Sequence, residues 1–302
     1  MGAILALSCD LMADDLDFSK PAGAPKPAAP AAPQVPLYIP AVARTFFESA
    51  GKEESVASGT VFFSENEKAS RLLLKRDKMY FLLEGQVALL AKGKQIGAPK
   101  VGEIFGEMAA ISDSPRSATA VAKSDCRVIS LDDKGFAAAL QKKPEFALMM
   151  LGTMIMRLRA MIARLSGIPS TAEMKDSRVF DKNLLNQMIQ GLGDQAVVRY
   201  EKGKIIMIAG QAGALMYVVT EGRVAISIRG AVVDRVGPGG IFGEMALIDQ
   251  SPRAANAVAE ADCALLAINR NVFLNLVKSE PRFGIALLSA TAERLRNTAA
   301  AL

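Results

Sequence analysis

The sequence predicts a mainly β, α+β architecture: two antiparallel β-rolls of the jelly-roll kind in tandem, each followed by a pair of helices. Three observations predict it. The 302-residue chain repeats itself at a shift of 137 positions, without a gap from 79 to 159. Each copy opens with short Val, Ile, Phe and Tyr runs punctuated by glycine, the grammar of antiparallel strands and tight turns. Each copy closes with Leu/Ala/Met-rich stretches at helical spacing.

The repeat comes first because a missed repeat misreads the whole fold. "MYFLLEGQVALL" (79–90) falls on "MYVVTEGRVAIS" (216–227), and "PEFALMMLGTMIMRLR" (144–159) falls on "PRFGIALLSATAERLR" (281–296). From 104 to 122, fourteen of nineteen residues match their counterparts. Such agreement is a domain duplication. The strand runs are "GTVFF", "MYFLLEG" and "QVALLAKG" in the first copy, and "KIIMIAG", "MYVVTEG" and "RVAISIRG" in the second. After Asp132 and Asn269 the pattern turns helical, with Pro144 and Pro281 marking a break between two helices. The first copy carries about seven extra residues near "ASRLLLKRDK", expected to lengthen a hairpin.

Composition excludes several chemistries. The chain has no His, which removes the commonest general base and metal ligand. Its three Cys (Cys9, Cys126, Cys263) fit neither a disulfide framework nor a metal spacing. Cys126 and Cys263 occupy one repeat position and are expected in the core. A net charge of +5 suits anionic small ligands or an acidic partner, without a nucleic-acid signature. The start, "MGAILALSCDLMADD", lacks the positive region of an export signal. The apolar run from Phe146 to Met156 stops at Arg157, short of a bilayer's width. A cytoplasmic protein with no membrane span is expected. Residues 1–36 are expected to be a disordered arm, with a Pro/Ala linker from 20 to 36 and an acidic amphipathic pattern in 1–19 that suggests docking. A first domain is expected at 37–167 and a second at 168–302.

The most similar stretch of the two copies is "FGEMAAISDSPRSATAVA" (105–122) against "FGEMALIDQSPRAANAVA" (242–259). Glu-Met-Ala-x-Ile reads as one short helical turn after a strand ending in Phe105 or Phe242. The first N–H groups of such a turn suit an anion. Gly106, Ala109 and Ala118 let an object approach the backbone. Arg116 and Arg253 follow prolines and offer a fork of donors for phosphate oxygens. Glu107 and Glu244, acceptors when ionised, want hydroxyl donors. One phosphate with one nearby sugar hydroxyl satisfies the whole set.

These residues resemble the phosphate-binding cassette of cyclic nucleotide-binding domains, and so do the Tyr-x-x-x-Glu-Gly strand before them and the helix pair after them. The resemblance covers roughly 45–165 and 178–300. It implies that Glu107 and Glu244 hold the ribose 2′-hydroxyl and that Arg116 and Arg253 pair with the cyclic phosphate. The N–H groups of Ala109, Ser117, Ala246 and Ala254 would complete the anion site, with Gly106 and Gly243 allowing close approach and Met108 and Met245 on the same turn. Two departures bear on ligand preference: Ser117 against Ala254 and Thr119 against Asn256.

A duplicated roll that kept this stretch for folding alone, with nucleotide binding lost in one or both copies, is the alternative. An Arg and a Glu nine residues apart in both copies argue against it, since unpaired charges in a tight turn stabilise nothing. No nucleophile elbow, P-loop or metal cluster marks an enzyme. No segment after the last helix is expected to read DNA, and no Arg-Arg-x-Ala/Ser inhibitor sequence marks a kinase subunit. The expected protein is a non-enzymatic sensor of cAMP, with cGMP as the second choice and no further cofactor, acting on an unidentified protein partner. The helix at 145–165, with five Met, suits an adaptable contact surface, which the resemblance implies would lie over the base; it also suits a buried inter-domain or homodimer helix, and the two readings are not exclusive.

Overall fold

The computed structural model describes residues 38–68, 77–112, 114–164, 179–193 and 196–300. The expected arm, linker and hairpin insertion lie outside them. The first repeat runs α1 (Pro40–Glu48), β1 (Lys52–Val56), β2 (Val61–Phe63), β3 (Lys78–Glu84), β4 (Val87–Ala91), β5 (Lys94–Gly97), β6 (Ile104–Phe105), α2 (Glu107–Ser112), β7 (Thr119–Ala122), β8 (Cys126–Asp132), α3 (Asp133–Lys142) and α4 (Glu145–Arg164). The second runs α5 (Lys182–Leu192), β9 (Val197–Tyr200), β10 (Ile205–Met207), β11 (Leu215–Glu221), β12 (Val224–Ile228), β13 (Ala231–Val236), β14 (Ile241–Phe242), α6 (Glu244–Asp249), β15 (Asn256–Ala259), β16 (Cys263–Asn269), α7 (Arg270–Ser279) and α8 (Pro281–Ala300).

Each repeat folds its eight strands into two four-stranded antiparallel sheets. The orders are β1-β8-β3-β6 and β2-β7-β4-β5 in the first, and β9-β16-β11-β14 and β10-β15-β12-β13 in the second. This is the predicted pair of antiparallel rolls. Alternation along the central strands explains how one strand serves two cores. On β3, Tyr80 and Leu82 point into the roll, whereas Met79 and Phe81 point to the helical layer. On β11, Tyr217 and Val219 face the roll while Met216 and Val218 face the helices. A period of two buries both faces of such a strand.

Cys126 and Cys263 are buried at 3% and 4% exposure, one in each roll interior, as expected. Tyr80 stacks on Phe105 at 5.2 Å between ring centroids, and Tyr217 on Phe242 at 5.1 Å. These pairs pin the strand that leads into each cassette turn. The helices of both repeats share a third core, which includes Phe46, Phe146, Leu151, Leu158, Phe283 and Leu287. The helix pairs start where the sequence turns helical: Asp132 Oδ1 accepts from the Gly135 N–H at 2.7 Å, and Asn269 Oδ1 accepts from the Val272 N–H at 3.0 Å.

α4 is longer than the apolar run that ends at Arg157. Its Glu145–Ala163 window has a mean hydropathy of 1.6, long and apolar enough by those measures to cross a bilayer. In the fold, however, Leu151, Met154 and Ile155 are buried in the shared core, and α4 packs most extensively against α8. This packing is that of a buried inter-domain helix, which does not exclude the contact-surface reading.

Candidate functional site

Each cassette is built at the junction of a two-residue strand and a short helix. Gly106 sits at φ 76° and Gly243 at φ 82°, a left-handed conformation that a side chain strains. A Cβ on Gly106 would also meet the Phe63 ring at 2.7 Å, and one on Gly243 would meet Arg253 Nη1 at 2.7 Å. Both glycines are therefore required by the fold itself.

Behind each glycine the arginine is held by matched bonds. The Arg116 N–H donates to Glu67 O at 2.8 Å, and the Asn66 N–H donates to Arg116 O at 2.9 Å. In the second repeat the Arg253 N–H donates to Gln211 O at 2.8 Å, and the Gly210 N–H donates to Arg253 O at 2.9 Å. Arg116 Nη1 donates to Gly106 O at 2.8 Å and Nη2 to Lys78 O at 2.9 Å. Arg253 repeats the pattern onto Gly243 O at 2.7 Å and Leu215 O at 2.5 Å. Thr119 and Asn256, different in the sequence, do one job: their side-chain oxygens accept from the N–H groups of Glu65 and Ala209 at 2.8 and 2.9 Å.

The repeats part ways around the guanidinium. Arg116 forms a buried ion pair with Asp77, Nη2 to Oδ1 at 3.1 Å, and lies over the Phe63 ring at 4.2 Å. The matching positions hold Ala214 and Met207. Burial lowers the pKa of Arg116 below the usual arginine range, against the opposing pull of Asp77 and Tyr80. Burial does the same to Arg253, against Tyr217 and Glu244. Among the described residues, Arg116 Nε is a fully buried nitrogen without a hydrogen-bond partner, a donor whose desolvation is uncompensated.

Glu107 and Glu244 are buried at 7% and 2% exposure, each facing an arginine from its own repeat's last helix. Arg157 Nη1 donates to Glu107 Oε1 at 2.7 Å, and Arg294 Nη1 donates to Glu244 Oε1 at 2.6 Å. The expectation that these charges would be unpaired is thus corrected. Arg116 has Asp77 and two carbonyls, each glutamate has an arginine, and retention of the charges in both copies also has a folding explanation. Arg157 and Arg294 were legible as the shared "RLR" at 157–159 and 294–296; Asp77 was not, because the shifted position holds Ala214.

The remaining predicted residues line the same turn. Ala109 and Ala246 are buried, Met108 and Met245 half-buried, Ser117 exposed and Ala254 half-buried. The helices also cross between repeats: Arg159 on α4 pairs with Asp249 at the end of α6 and donates Nη1 to Pro252 O at 3.0 Å.

The chain is similar in sequence to known proteins. The family model "Cyclic nucleotide-binding domain" matches residues 53–143 and 197–280. The regulatory subunit of cAMP-dependent protein kinase from Yarrowia lipolytica is 26% identical over 203 residues, covering 67% of this chain and 49% of that protein. The cyclic AMP receptor protein of Thermus thermophilus is 36% identical over 102 residues, 32% of this chain and 47% of that protein. This chain thus spans about half the length of the curated relatives it matches. A co-crystal structure of the regulatory domain of Toxoplasma gondii PKA with cAMP is 21% identical, covers 76% of this chain and 83% of that one, and has a TM-score of 0.28. The two segments matched by the family model make up more than half of the 302 residues, one in each roll, and the chain belongs to the cyclic nucleotide-binding domain family.

Proposed function

We propose that the protein is a non-enzymatic cyclic nucleotide sensor with two binding sites, cAMP being preferred over cGMP. Its output is a conformational change read by a protein partner. The observation that carries the reading is the duplicated Glu–Arg cassette, with a buried and unsatisfied Arg116 Nε beside a glycine turn. A phosphate oxygen would satisfy that donor. The buried glutamates, each engaged through Oε1, have acceptor capacity left for a ribose hydroxyl. The site residues of this reading are Gly106, Glu107, Met108, Ala109, Arg116 and Ser117 in the first repeat, and their counterparts Gly243, Glu244, Met245, Ala246, Arg253 and Ala254 in the second. A second reading, in which the chain regulates a kinase-like effector, is favoured by its identity to kinase regulatory subunits over two thirds of its length.

Titration calorimetry with cAMP and cGMP tests the proposal. Arg116→Lys with Arg253→Lys keeps a cation beside Asp77 but removes the planar fork and its Nε donor. The double variant is expected to weaken cAMP binding by about tenfold or more at each site, since a lone ammonium cannot replace the fork and each charged hydrogen bond lost is worth roughly 1.5–3 kcal/mol. Unchanged cAMP affinity would sink the reading.

A further inference from the structure

The two cassette glutamates are held in unequal ways, and one residue makes the difference. In the second repeat Arg294 has all three nitrogens engaged. Nη1 donates to Glu244 Oε1, Nη2 donates to Ile241 O, and Nε lies 3.5 Å from Asp234 Oδ2. The three side chains are largely buried, at 18% exposure for Arg294, 3% for Glu244 and 23% for Asp234. Burial opposes the charge on Arg294, but Glu244 and Asp234 outweigh it and hold the guanidinium above its usual range. In the first repeat Arg157 is 51% exposed, and among the described residues its ion pair is with Glu107. The position matching Asp234 is Gly97, at the end of β5.

Resting on the cyclic nucleotide reading, we propose that Asp234 is a positioning residue that fixes Arg294, and through it Glu244, making the second site the one that discriminates most sharply for a ligand 2′-hydroxyl. A guanidinium tied at three points leaves Glu244 one orientation, with the unshared oxygen ready to accept. A half-exposed Arg157 on one contact leaves Glu107 free to reorient, and ordering it on binding costs affinity. Asp234 stands on β13, outside the eighteen-residue cassette, and its ion pair is with Arg294.

The test compares cAMP with 2′-deoxy-cAMP by calorimetry in an Arg116→Lys background, where the titration reads the second site. Asp234→Asn is isosteric; Asp234→Gly copies the first repeat. Either is expected to weaken cAMP by about tenfold, the order of one charged hydrogen bond, and to leave the 2′-deoxy ligand within about twofold, since a ligand without the hydroxyl gains nothing from a well-placed Glu244. A merely structural role would weaken both ligands together. An unchanged ratio of the two affinities, a proportional loss of both or a gain for cAMP each overturns the inference. A background protein that binds neither nucleotide overturns the functional reading of the second site, and the inference with it.

Discussion

Asp77 and Ala214 occupy the same repeat position, and one carboxylate there changes what each cassette arginine does for the fold. Removing Arg116 takes the guanidinium from a buried aspartate and from a Phe63 face; among the described residues, the hydrogen bonds lost on removing Arg253 are to carbonyls. A buried pair that loses one partner is strongly destabilised. Arg116→Ala is therefore expected to cost about 2 kcal/mol more than Arg253→Ala in chemical denaturation, with Asp77→Ala in the same chain recovering part of the loss. Equal losses would show that Asp77 contributes nothing to holding Arg116. At this scale the sequence was legible wherever both copies agree. The two glycines, glutamates and arginines fall in one place each, and so do the helix arginines 157 and 294. It was illegible where the copies differ, as at Asp77 and Asp234, because an unmatched aspartate looks like any solvated charge until the fold buries it.

Strands and helices announce themselves in the sequence by different cues, and the cues differ in how much they contain. The alternation of Met79-Tyr80-Phe81-Leu82 looks like a continuous apolar run, so the strand was visible while its division between two cores was not. Helix starts were visible as Asp132 and Asn269, but the partner of α4 was not, since a nearly all-round apolar helix has no single face to announce. The structure supplies it: α4 lies on α8, and a Cβ added to Gly284 would sit 3.3 Å from Ala147 Cβ. Gly284→Ala asks its neighbour to give by a few tenths of an ångström. Gly284→Leu would force the helices apart, and overpacking of this kind costs roughly 1–3 kcal/mol. Thermal unfolding is expected to fall by several degrees for the leucine variant and little for the alanine one; no fall for leucine would mean that the crossing is looser than the structure has it.

Ala147 and Gly284 are 137 positions apart, so the two helices cross at the same residue of the repeat. The other contacts obey the same rule: α2 packs on α8, and α6 packs on α4. One chain thus contains an interface of the isologous kind, in which each copy presents one patch to the other. The symmetry is broken at its rim. Arg159 on α4 reaches Asp249 and Pro252 of the second cassette, whereas Arg296, its counterpart, faces a repeat in which Asp249 is replaced by Ser112. If this interface holds the molecule together without the covalent joint, chains 1–170 and 171–302 expressed together should co-purify as a one-to-one complex. Arg159→Ala should weaken that complex about thirtyfold or more, because the Asp249 side chain is 6% exposed and would be left without its guanidinium. Arg296→Ala should weaken it far less, having no carboxylate at the matching position to abandon. Halves that fold but do not associate would show that the linking residues, rather than the helix crossing, join the repeats. Equal effects of the two arginines would show that the rim carries no asymmetry.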